Sequence, residues 1–195
     1  MGFDPNKYRL KKLDRYETYI KSLRAQKIDP KSIENSVTEA ITNIKNKKAR
    51  SFVIYGEPQS GKTSMMIGLT AKLLDRGYKL IILLIQDNLD LLTQNTLRFQ
   101  KSTLRPSPKL YQEVISPDVQ IKDREFVVIC KKNTSNLKRL LDKVDNIKQK
   151  VIIDDEADFA SPNSKVNKTD DKGEQDRTMI NKRIFDLLGD DGIYL

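Results

Sequence analysis

The chain contains no histidine and no tryptophan, and its one cysteine is Cys130. These gaps remove whole classes of chemistry. Ser-His-Asp and Cys-His catalysis, histidine-ligated metals, zinc clusters and disulfide frameworks all lack their residues. Cys130 lies in an apolar run and reads as a small core residue in a reducing compartment. Long hydrophobic runs are missing as well. The longest, Leu80 to Ile85, falls far short of the roughly 20 residues that a bilayer-spanning helix needs. The N-terminal MGFDPN has no apolar signal core and no Ser or Thr at position 6 for a myristoylation signal. A soluble, cytoplasmic protein with no membrane partner is expected.

What is abundant is charge. Of 195 residues, 32% are charged and 37% hydrophobic, and the formal net charge is +9. Residues 1–50 hold 13 Lys/Arg against 6 Asp/Glu, whereas the rest of the chain holds 23 against 21. Concentrated positive charge suits an anionic partner, most commonly nucleic acid. A solvated lysine-rich helix face would give the same count.

Leu13, Tyr16, Ile20 and Leu23 recur at three- and four-residue steps, predicting a helix over about 7–27. Asp29-Pro30 predicts a second helix start, with Asp as cap and Pro at the first helical position. Ile33, Val37, Ala40, Ile41 and Ile44 then share one face. From residue 51 the pattern changes to short continuous apolar runs: 52–55, 80–85, 126–130 and 151–153. Such runs suit strands buried on both faces, as in a parallel sheet. Helical patterns lie between them, including Leu137, Leu140, Leu141 and Val144 behind possible caps Thr134 and Ser135. The alternation predicts an α/β fold, a parallel sheet sandwiched by helices, over 49–195, with a basic helical extension over 1–48. Residues 161–177 read as a long exposed loop, 178–188 as a helix and 193–195 as a short last strand, where the chain looks cut from a larger protein.

In a parallel sheet, ligands bind at the carboxyl ends of strands. After the first run comes Gly56-Glu57-Pro58-Gln59-Ser60-Gly61-Lys62-Thr63, which satisfies G-x-x-x-x-G-K-[ST] at every fixed position. It stands between a strand pattern and the helix pattern SMMIGLTAKLL, as the phosphate-binding loop requires. Glycines let successive amides curl toward phosphate oxygens, and the helix start adds its positive dipole end. Lys62 would place its ammonium between the β- and γ-phosphates of ATP. The Thr63 hydroxyl would ligate Mg²⁺, and Ser64 completes the expected ATP-binding stretch. The run 151–153 ends in Asp154-Asp155-Glu156-Ala157-Asp158. Burying four carboxylates is too costly, so they belong at the strand's carboxyl end, the edge that also carries the phosphate loop. There Asp155 would hold Mg²⁺, mostly through water, and Glu156 would orient or deprotonate the attacking water.

Asp155-Glu156-Ala157-Asp158 spells the motif of DEAD-box proteins, and with GEPQSGKT it resembles the first RecA-like domain of superfamily 2 helicases and translocases. IIDDEADFASPN and KKNTSNLKRLL are most similar to helicase-like ATPases linked to endonucleases in bacterial restriction and phage-defence systems. The resemblance implies the P-loop NTPase (RecA-like) fold over about 48–195. It also implies an ATP-hydrolysing motor and nucleic-acid contacts by the loops after the second and third strands. These would fall on Asn88, Thr93 and Gln94, and on Lys131, Lys132, Asn133 and Ser135. Asp158 would couple to a second RecA-like domain. DNA is the favoured polymer over RNA, and a nuclease or other domain is expected in the full-length protein. Three features depart from the pattern: Asp154 is an additional acid, an upstream adenine-reading glutamine motif is lacking, and the second RecA-like domain with its arginine finger is absent. This chain alone should therefore bind ATP·Mg²⁺ but hydrolyse it slowly. Two alternatives remain open: a viral DNA-packaging motor ATPase, and a nucleic-acid-binding module switched by ATP without turnover. A nuclease centre built from Asp118, Asp170 and Lys172 is disfavoured, because the second pair lies in the polar loop.

Overall fold

In the computed structural model, residues 14–46, 48–55, 61–122, 124–155 and 179–195 are described. The first helix, α1 (Arg15–Ala25), buries Tyr16, Tyr19, Ile20 and Leu23. The second, α2 (Lys31–Lys45), buries Ile33, Val37, Ala40 and Ile41. Its start differs by one position from the expectation: Pro30 is itself the cap residue, and Asp29 accepts from the Lys31 amide at 3.0 Å. Then follow α3 (Lys62–Asp75), β1 (Leu80–Ile85), α4 (Leu89–Lys101), β2 (Lys109–Leu110) and α5 (Tyr111–Val114). The chain continues through β3 (Phe126–Lys131), α6 (Thr134–Val144), β4 (Val151–Asp154), α7 (Met179–Leu188) and β5 (Ile193–Tyr194). The short β2 and α5 carry too few periodic residues to be read from sequence.

Continuous apolar runs become strands with both faces covered. The sheet is parallel, in the order β2-β3-β1-β4-β5. Ile81, Leu83 and Ile85 face the layer of α1 to α4, whereas Leu80, Ile82 and Leu84 face the layer of α5, α6 and α7. This is the predicted α/β sandwich. Cys130 is fully enclosed in the second layer, and burial pushes its thiol pKa up to about 12, so it is an unreactive core residue.

The run 52–55 departs from the expected buried strand. It makes one parallel bridge, Ser51 to Tyr194, at the outer side of β5. Phe52 and Ile54 pack on the core, but Val53 and Tyr55 are 81% and 86% exposed. Among the described residues, the segment pairs on one side and is covered on one face, so half of its apolar side chains stay in water.

The two N-terminal helices lie against α3 and share its apolar cluster. They approach closely at Gly68, where an added Cβ would meet Ile33 Cγ2 at 3.2 Å. At the other end of α3, the Asp75 carboxylate accepts from the Arg15 and Tyr16 amides, satisfying the open start of α1. The Arg15 guanidinium binds Asp75, Glu125 and the Arg105 carbonyl. Lys72 lies 4.4 Å from the centre of the Tyr16 ring. From Asp14 to Asn46 the chain carries six basic and five acidic residues. The basic excess of the first quarter therefore belongs to the flanks of these helices rather than to the helices themselves.

Candidate nucleotide and nucleic-acid site

Parallel strands deliver their carboxyl ends to one edge. There Ile85 stands beside Lys131, Leu84 beside Asp154, and Ile152 beside Tyr194. The Ser51 bridge to Tyr194 is parallel too, so the segment leading into the phosphate loop runs toward that same edge. Gly56, Glu57, Pro58, Gln59 and Ser60, with Glu156 and Asp158, lie outside the described residues.

On the loop side, Gly61 takes a left-handed conformation, φ 83°, and its carbonyl accepts from Met65 to open α3. Nothing would meet a Cβ there, so glycine is demanded by backbone conformation rather than by space. Lys62 is exposed on the first turn. Ser64 turns toward α1, where its hydrogen bond to Tyr19 partly offsets the rise in the phenol's pKa caused by burial. Thr63 is buried. Its hydroxyl donates to Asn95 Oδ1 at 3.0 Å and accepts from Arg98 Nη1 at 3.1 Å.

On the acidic side, burial decides the roles. Asp154 ends β4 with its carboxylate enclosed, and an enclosed charge requires a partner. Lys132 Nζ supplies one at 2.8 Å, with both side chains fully buried, and the Tyr194 hydroxyl donates to the other oxygen at 2.6 Å. The additional acid of the motif is thus a structural ion pair joining β3, β4 and β5. This corrects the expectation for Lys132: its ammonium is spent inside the protein and does not face a nucleic acid. Asp155 follows at the edge, with its amide donating to the Leu84 carbonyl at 2.9 Å.

The loops after β1 and β3 meet because these strands are neighbours. Lys131 reaches Asp87 at 2.7 Å, and Asn133 Nδ2 donates to the same carboxylate at 3.2 Å. These bonds, the Lys131 one foremost, hold the Asp87 carboxyl below its usual range against a smaller opposing effect of desolvation. Asn88 caps α4 by accepting from the Asp90 and Leu91 amides. Asn133 caps α6 by accepting from Asn136, a role expected of Thr134 or Ser135. The Thr93 hydroxyl donates to the Leu89 carbonyl in its own helix. Gln94 and Ser135 are exposed.

Asp87, Asn95, Arg98 and Tyr194 were not singled out by sequence reasoning. A signal existed for Asn95: it interrupts the buried stripe of α4 between Leu92 and Phe99. Asp87, Arg98 and Tyr194 carry no local signal, because their partners are distant in sequence.

Among the described residues, no helix is long and apolar enough to cross a membrane. Comparison with curated proteins and with solved structures gives no match. The family described as type III restriction enzyme, res subunit, matches residues 21–174, from within α1 to beyond the acidic motif. The chain therefore belongs to that family of helicase-like ATPases with the RecA-like P-loop fold.

Proposed function

We propose that the chain is the ATP-binding half of a motor that moves along nucleic acid, with DNA as the favoured polymer. In this reading it works with a second RecA-like domain, and with a nuclease or other domain, in a longer protein. One observation carries this reading: the segment that enters GEPQSGKT and the strand that ends in the acids leave a parallel sheet at the same edge. The first turn of α3 offers Lys62 for the β- and γ-phosphates. The expected Mg²⁺ donors are the Thr63 hydroxyl and the Asp155 carboxylate, hard oxygens that suit this ion. The Thr63 proton already points to Asn95, so the lone pairs of its oxygen face elsewhere, which is the arrangement a metal ligand needs. Bound Mg²⁺ would offset phosphate charge. Glu156 would orient the attacking water, and Asp158 would report to the second domain.

The joined surface after β1 and β3 is the place for a phosphate backbone. Asn88, Thr93, Gln94, Lys131, Asn133 and Ser135 present polar groups there, and such contacts ignore base sequence. Lys132 is left out of the set.

The test is equilibrium binding of a fluorescent ATP analogue in Mg²⁺ to the chain and to its Lys62→Ala variant. A loss of about tenfold or more, ~1.4 kcal/mol, is expected. Unchanged affinity in a folded variant would overturn the proposal. Hydrolysis should be slow and should vanish in Glu156→Gln, because an arginine finger from another domain is worth roughly 10³–10⁵ in rate.

A further inference from the structure

The Thr63 hydroxyl both donates and accepts a hydrogen bond within the protein. Asn95 Nδ2 donates to the Leu91 carbonyl one turn back, at 3.1 Å, and this fixes which end of the amide faces Thr63. The facing atom is Oδ1, an acceptor only, so the Thr63 hydroxyl must donate its single proton there. Arg98, one turn further along α4, donates Nη1 to the same oxygen at 3.1 Å. A hydroxyl has two lone pairs, and the Arg98 guanidinium occupies one of them. Asn95 is buried and Arg98 is exposed, so the first is held in place and the second can leave into water.

We propose that Asn95 is a positioning residue that aims the Thr63 oxygen, and that Arg98 is a displaceable cation which the magnesium of ATP·Mg²⁺ must evict from that oxygen. This deepens the proposed function and rests on it. Two cations sharing one small oxygen repel each other at close range, and only one of them brings phosphate ligands with it. Arg98 therefore raises the magnesium concentration needed to tighten nucleotide binding. It also ties the metal site to α4, the helix that begins at the loop after β1.

The experiment titrates Mg²⁺ into the 195-residue chain with a fluorescent ATP analogue present, starting from EDTA. The Mg²⁺ concentration at half-maximal tightening is compared for the unsubstituted chain, Arg98→Met, Arg98→Lys and Asn95→Ala. Arg98→Met should lower that midpoint roughly tenfold, the scale of one charge-assisted hydrogen bond. Arg98→Lys, which keeps a cation without the fork, should fall between. Asn95→Ala should raise the midpoint. A role confined to stability would shift thermal melting and leave the midpoint where it was. An unchanged midpoint in both Arg98 variants, with nucleotide still bound, overturns the eviction idea alone. Absence of nucleotide binding by the unsubstituted chain overturns the proposed function, and this inference with it.

Discussion

The face where α1 and α2 rest on α3 and the carboxyl edge of the sheet hold charge in opposite ways. On the helical face, Arg15 with Asp75 and Glu125 at the start of α1 is the covered exception; the other charges stay mostly in water and nearly cancel, and cohesion comes from Tyr16, Tyr19, Ile20, Val37 and their neighbours. At the sheet edge, charges are drawn together: Lys131 onto Asp87, and Lys132 onto Asp154 with no exposure at all. A window of sequence reports how many charges it holds, whereas neighbours decide which of them reach the surface. The basic extension expected over 1–48 illustrates this, since its helices are close to neutral between two basic flanks.

The largest effect should come from breaking the enclosed pair. Lys132→Met leaves the Asp154 carboxylate buried without its ammonium and should cost about 3–5 kcal/mol, read by denaturant unfolding. Replacing both partners by apolar residues should recover most of that loss. If the single variant is as stable as the unsubstituted chain, the sheet edge does not depend on its charges as the comparison requires.

Next comes the helical face. Gly68→Leu would drive a branched side chain into Ile33, Tyr19 and Val37. The expected cost is about 1–3 kcal/mol, with Tyr16 and Tyr19 becoming more exposed in tyrosine fluorescence. A neutral outcome would mean that α1 and α2 are not seated by close packing.

The smallest effect is a pH dependence. Burial raises the phenol pKa of both Tyr16 and Tyr19 in the folded chain. In the unfolded chain these phenols titrate near 10. Protonation is thus worth more to the folded state, a contribution fully present below pH 10 and lost as pH rises toward the higher folded values. The double variant Tyr16→Phe, Tyr19→Phe should lose less stability than the unsubstituted chain between pH 9 and pH 11. Parallel pH curves for the two proteins would remove these phenols from the account.

Much of the fold was legible because the apolar runs were long enough. LIILLI and FVVIC each fill both faces of a strand, and α6 declared itself through Leu137, Leu140 and Val144. The segment 52–55 departs from the expected buried strand because its composition matches those runs while its position at the sheet's margin does not. The phosphate-loop spelling and the acidic strand end were visible as local motifs. The fate of Lys132 was not, since its partner lies 22 residues away and is reached only because β3 and β4 flank β1.

The sequence by itself determined the parallel α/β class, the edge at which its motifs gather, and the absence of histidine or disulfide chemistry. Periodicity and fixed spacing are properties of neighbours along the chain. The tertiary structure decided which charges are buried, that α1 and α2 pack on α3, and that Asn95 and Arg98 hold the Thr63 hydroxyl. Those outcomes depend on contacts between residues tens of positions apart, where the loss of water around a group, rather than its identity, sets what it does.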